Sequence, residues 1–82
     1  MSALRPLRSQ APRPCRVAVG PDGRPREVDG RAVEAVREEW RVEEGWWATP
    51  VRRRCFEVVL AGGRLCVVHE DRGSGAWRRY GG

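Results

Sequence analysis

Lysine, isoleucine and asparagine are missing from this 82-residue chain, and phenylalanine and tyrosine occur once each. All sixteen positive residues are therefore arginine, against eleven acids and a formal charge of +5. Joint absence of Lys, Ile and Asn fits AT-poor codons, so part of the arginine excess is a coding effect and not the mark of a nucleic-acid surface. No segment approaches the roughly 20 apolar residues of a transmembrane helix. The opening M-S-A-L-R-P-L-R also lacks the apolar stretch of a signal peptide. Three cysteines without a C-x-x-C pair argue against a disulfide framework and against structural zinc. The expected setting is a reducing cytoplasm, with no membrane contact. No Gly-rich phosphate loop, paired carboxylate or metal-spaced cluster is present, so the expectation is a protein that is no enzyme and takes no cofactor and no metal.

A chain this short is one domain at most, with little core to spare. Residues 1–16 carry four Arg and no acid, residues 17–71 nine Arg against eleven acids, and residues 72–82 three Arg and no acid. The body is slightly acidic and the ends are basic. Residues 1–14, with three Pro and three Arg, read as a disordered basic leader, and 15–80 as a small β domain. Cys15, Val17 and Val19 alternate with Arg16 and Ala18, and G-P-D-G-R-P marks a turn. A two-residue turn at Asp22 and Gly23 would pair Val17 with Val28 and Val19 with Arg26. The stretch 31–42 fits two elements. Val33, Val36 and Trp40 make a helical stripe; alternatively the segment is a bent strand with Val36, Trp40 and Val42 on one parity and Val33 displaced by a bulge. The hairpin neighbours favour the strand.

The clearest element is a hairpin over 52–71. A two-residue turn at Gly62 and Gly63 would pair Leu60 with Leu65, Val58 with Val67, Phe56 with His69 and Arg54 with Asp71. The core face would then be Phe56, Val58, Leu60, Leu65, Val67 and His69. That register puts the only histidine on the face opposite Cys55 and Cys66, away from any thiol it could activate. The final segment A-W-R-R-Y reads as a short strand carrying Trp77 and Tyr80. The architecture is an all-β fold, a single antiparallel sheet or SH3-like barrel of five to six strands. Its expected core holds Val17, Val28, Val36, Trp40, Phe56, Val58, Leu65, Val67 and one of Trp46 or Trp47.

Three tryptophans crowd W-R-V-E-E-G-W-W at Trp40, Trp46 and Trp47, each able to bury about 150–250 Å². Trp46 and Trp47 are adjacent, so in a strand they point to opposite faces, one to the core and one outward. Exposed Trp and Arg are enriched at interface hot spots. Beside them Glu38, Glu39, Glu43 and Glu44 form an acidic patch that repels phosphate and suits a basic protein partner. Arg52, Arg53 and Arg54, with Arg78, Arg79 and Tyr80, offer the alternative of a stacking site for single-stranded nucleic acid.

The motif V-x-x-V-x-x-x-W-R-V-x-x-x-W-W, then R-x-C-F-x-V, then G-G-R-L-x-V-V-x-x-D and a closing W, resembles a small bacterial domain of unknown function from high-GC genomes. Here it runs through Val33, Val36, Trp40, Arg41, Val42, Trp46, Trp47, Arg53, Phe56, Val58, Gly63, Leu65, Asp71 and Trp77. It is similar to the extreme C-terminal segment of the Y-family polymerase-like subunit of the bacterial mutagenesis cassette. That segment likewise has W-P-V-[DE]-x-x-W-W, a strand pair around a Gly turn, and a closing W-x-x-x-x-Y. Cys55 stands where an aromatic is usual before Phe56. The likeness covers roughly residues 24–80. It implies an all-β module of translesion synthesis or DNA repair, and it brings no catalytic residues. The leading expectation is a non-enzymatic adaptor that binds a polymerase-associated protein through Trp46, Trp47, Glu43 and Glu44. The alternative is a nucleic-acid-binding β-barrel using Arg52, Arg53, Arg54, Arg78, Arg79 and Tyr80.

Overall fold

A computed structural model describes residues 12–44 and 51–81. Trp46 and Trp47 lie outside the described residues, as does most of the expected leader. The described chain is all-β: β1 (Arg13–Cys15), β2 (Val17–Val19), β3 (Pro25–Val28), β4 (Arg31–Glu44), β5 (Val51–Leu60), β6 (Arg64–Asp71) and β7 (Trp77–Tyr80). They form one antiparallel sheet in the order β1-β7-β6-β5-β4-β3-β2. Only Arg16 separates β1 from β2, so these two segments are one strand broken by a bend. It pairs with β7 on one side and β3 on the other, which nearly closes the sheet into a barrel. Seven segments thus make about six strands. Arg13 and Pro14, expected in the leader, are already part of β1.

Closure is clasped by Asp29. Its backbone N–H donates to the Arg16 carbonyl at 2.7 Å, its Oδ1 accepts from the Arg16 N–H at 2.9 Å, and its Oδ2 meets Arg79 Nη1 at 2.7 Å. Asp29 adopts φ 51°, a left-handed conformation that a short polar side chain tolerates.

Both tight hairpins turn through three residues where two were expected. In the first, Pro21, Asp22 and Gly23 lie between Gly20 and Arg24; Gly20 donates to the Arg24 carbonyl, and Gly23 donates to that of Gly20, each at 2.9 Å. Gly23 sits at φ 81°, the left-handed residue that follows a type I turn in a three-residue loop. Val17 pairs with Val28 as expected, but an irregularity after Ala18 brings Val19 opposite Pro25 and not Arg26. In the second, Ala61, Gly62 and Gly63 separate the Leu60–Arg64 pair, and Gly63 donates to Leu60 at 2.9 Å.

That extra turn residue slips β6 by one position relative to the expected register. Phe56 faces Val68, Val58 faces Cys66, and Arg54 faces Glu70 where Asp71 was expected. A one-residue slip exchanges the faces of a whole strand. Cys66 and Val68 therefore point inward with Phe56, Val58 and Leu60, and the buried core is completed by Val28. Leu65 is 47% exposed and Val67 half-buried on the outside, so neither joins the expected core. Val17, Val33, Val36, Cys15 and Trp77 pack around the core's rim; the Trp77 ring lies 6.0 Å from that of Phe56.

The ambiguous segment 31–42 is strand, with register shifts at two places, between Val33 and Ala35 and between Val36 and Glu38. Each bulge inserts one residue, so the inward face recurs every third position: Val33 opposite Leu60, Val36 opposite Val58, Glu39 opposite Phe56. The three-residue spacing of Val33 and Val36 is thus the trace of a bulged strand. One bulge was foreseen. The second flips Trp40 to the outer face, opposite Cys55, where it is 37% exposed and outside the core.

Candidate nucleic-acid interface

β4 and β5 run together to their shared end at Glu44 and Val51, and there the charge concentrates. Register sets Arg41 opposite Arg54, Val42 opposite Arg53 and Glu43 opposite Arg52. Beyond β6, the Arg72 N–H donates to the Arg52 carbonyl at 2.9 Å, bringing a further arginine alongside. Arg41, Glu43, Arg52, Arg53, Arg54 and Arg72 enclose a cleft of about 130 Å³. Five guanidinium groups line it with one carboxylate, and three more carboxylates lie beside them: Glu39 and Glu70 at Arg54, and Asp71 opposite Arg53.

Arg54 is the fixed member. Its side chain is 18% exposed, and its Nη2 donates to the Gly23 carbonyl at 3.0 Å. Glu39 at 3.9 Å and Glu70 at 3.8 Å flank it, and its guanidinium carbon lies 5.0 Å from the Phe56 ring centroid. Packing and hydrogen bonding thus hold one cation in place, while Arg41, Arg52, Arg53 and Arg72 are exposed around it. Like charges directly across a strand pair destabilise the sheet. The Arg41–Arg54 juxtaposition is offset by Glu39 and Glu70, the carboxylates that flank Arg54.

The expected nucleic-acid set divides. Arg52, Arg53 and Arg54 meet in the cleft. Arg78 and Tyr80 lie on β7's outer face, across β6 from β5, and the Tyr80 ring is 5.5 Å from that of His69. Arg79 points inward, 9% exposed, into its pair with Asp29; it serves closure and is unsuited to a surface contact. Of the expected protein-binding set, Glu43 lines the cleft and Glu44 pairs through its backbone with Val51. Arg41, Arg72 and Trp40 were missed by sequence reasoning. Arg41 and Arg72 reach the cleft only through strand register. Trp40 is an outer-face diagonal neighbour of Arg53, which faces Val42.

The slipped register also overturns the expected separation of His69 from the thiols. Cys55 and His69 are direct cross-strand partners on the outer face, and Cys66 lies on the opposite face. Proximity does not make a nucleophile here. Among the described residues, neither His69 nitrogen has a hydrogen-bond partner. Burial raises the Cys55 and Cys66 thiols above their ordinary range, and burial reinforced by Asp29 pushes Cys15 up to about 11. Thiols held protonated at neutral pH are poor nucleophiles. Burial, then Arg53 and Arg78, hold His69 below its ordinary value against the opposing pull of Asp71. Among the described residues, no group of three or more His, Cys, Asp or Glu is placed to hold a metal ion, and no helix is long and apolar enough to cross a membrane. No family model matches this chain, and neither does any curated protein or solved structure.

Proposed function

We propose that this chain is a small binding module that grips the phosphate backbone of single-stranded nucleic acid at the end of the β4–β5 hairpin. The observation that carries this reading is the five-arginine cleft around the immobilised Arg54. Planar guanidinium groups bind phosphate oxygens through paired N–H donors. An exposed indole beside Arg53 supplies a platform on which a base can stack, an interaction worth about 1–3 kcal/mol per base. Glu43, with Glu39 and Glu70 beside Arg54, weakens the field and leaves a net positive charge at the cleft. The function is binding, with no chemistry assigned to the site.

Salt dependence tests this directly. Fluorescence anisotropy of a labelled oligothymidylate, titrated at several salt concentrations, should give a log–log slope near roughly −3 for about four phosphate contacts on a single strand. Arg52→Ala and Arg72→Ala should each flatten that slope by roughly 0.7. Binding that is absent, or whose slope is indifferent to both substitutions, would overturn the reading.

A second reading is favoured by the outer face, where Trp40 and Leu65 are exposed near the half-buried Val42, Val59 and Val67. Such an apolar sheet face suits an adaptor that docks a polymerase-associated protein in translesion synthesis or DNA repair. Under this reading, Trp40→Ala should weaken binding to the purified polymerase-like subunit of the mutagenesis cassette by more than about tenfold, a hot-spot loss. Equal calorimetric affinity for wild type and variant would exclude that face.

A further inference from the structure

β4 is the longest strand of the fold, yet β3 covers only its beginning. The β3–β4 ladder consists of Glu27 with Ala32 and Val28 with Arg31. Among the described residues, no strand pairs with that side of β4 beyond Ala32. Both bulges lie before Glu38, so the remainder of β4 keeps one uninterrupted register with β5. An open, regular edge presents a row of backbone donors and acceptors to another strand.

Proteins commonly guard such an edge with proline, with bulges or with charged side chains that repel a second copy, and here both bulges lie before Glu38. This edge has no proline between 31 and 44, and its charges are of mixed sign. In the run Glu38, Glu39, Trp40, Arg41, Val42, Glu43, preceded by Arg37 as the extra residue of the second bulge, antiparallel pairing of two copies about Trp40 sets Glu39 opposite Arg41 and brings Arg37 at the end of the run against Glu43. By symmetry each pair occurs twice. Glu38 faces Val42, and the two Trp40 indoles face one another on the outer surface. Glu39 already has Arg24 at 3.5 Å and Arg54 at 3.9 Å within its own molecule. Arg37 and Glu43 are both exposed and have no ion-pair partner among the described residues.

We propose that β4 pairs antiparallel with β4 of a second copy of this chain, joining two sheets across a two-fold axis at Trp40. A two-fold interface must be self-complementary, and the charge pattern of 37–43 is. The occupant is thereby specified as an identical strand: a foreign strand would have no reason to match this order of signs. The groove between the β2–β3 hairpin and the start of β4 stays outside the joint.

Sedimentation equilibrium of the full chain, from micromolar to millimolar concentration, tests the pairing. Wild type should associate as a dimer. Arg37→Glu alone and Glu43→Arg alone each place like charges opposite one another twice, and each should weaken dimerisation roughly tenfold or more. An equimolar mixture of the two variants regains opposite charges at both symmetry-related pairs and should recover the wild-type dimer as a heterodimer. Both positions are solvent-facing, and recovery in the mixture itself demonstrates that the variants are folded. A wild-type chain that stays monomeric at millimolar concentration would overturn the pairing. So would a dimer indifferent to either reversal, or a mixture that fails to recover it.

Discussion

Phe56→Ala is expected to remove a large share of the fold's stability at 25 °C. The ring is fully buried at the middle of the core, faces Val68 across the ladder, and stacks obliquely on Trp77. Removing it costs about 3–5 kcal/mol, through lost transfer energy and the cavity left behind. It also strips the Arg54 guanidinium of the aromatic face beneath it. A domain of this size commands roughly 0.05–0.15 kcal/mol per residue, so one such loss consumes a large part of its stability. Guanidinium chloride unfolding, followed by tryptophan fluorescence, measures it. A destabilisation under about 1 kcal/mol would place the core elsewhere. The same experiment separates the two hairpin registers. Val68→Ala should cost more than Leu65→Ala, because Val68 is fully buried and Leu65 is 47% exposed. The two-residue turn would reverse that order.

The register was the part least legible in the sequence, and the reason is physical. Both faces of 64–71 carry apolar residues, Leu65 and Val67 on one and Cys66 and Val68 on the other, so alternation alone does not orient the strand. The decision falls to the loop. Ala61 joins Gly62 and Gly63 in the turn, with both glycines at positive φ, and that single residue moves every side chain of β6 to the opposite face. Strands with one apolar parity were readable: Phe56, Val58 and Leu60 are inside as expected, and Val17 faces Val28. In β4 the spacing of Val33, Val36 and Trp40 was shared by two explanations, and only the pairing with β5 shows two bulges, the second of which turns Trp40 outward. The candidate site was half legible for the same reason. Arg52, Arg53 and Arg54 are contiguous and announce themselves, whereas Arg41 and Arg72 are distant in sequence and join them through ladder geometry. Arg79 looked like its neighbour Arg78, yet strand parity sends it inward to Asp29.

That inward pair leads to a second large effect: Asp29→Ala should destabilise the fold by about 2–3 kcal/mol, and Asp29→Asn by distinctly less. Alanine removes one partner of a buried guanidinium, a loss of about 3–5 kcal/mol when both groups are fully buried. The Asp29 side chain is 42% exposed, so solvent screening moves the expected cost to the lower end. Alanine also forfeits the bond from the Arg16 N–H and must adopt φ near 51°. Asparagine tolerates that conformation and keeps an acceptor, losing only the charge. Acid titration divides the roles further. Accepting the Arg16 N–H and then the Arg79 guanidinium holds the Asp29 carboxyl below its ordinary range. Its contribution is therefore complete above the unfolded pKa of about 3.9 and disappears as pH falls through the lower folded value. Buried His69 is also held low, so the unfolded chain binds its proton first, and stability already falls as pH drops below about 6.5. Wild type should thus lose stability in two acid steps, while Asp29→Asn retains the upper step and loses the lower. Unfolding free energies measured from pH 8 to pH 3 distinguish the cases. An unchanged lower step in Asp29→Asn would mean that barrel closure does not depend on this carboxylate.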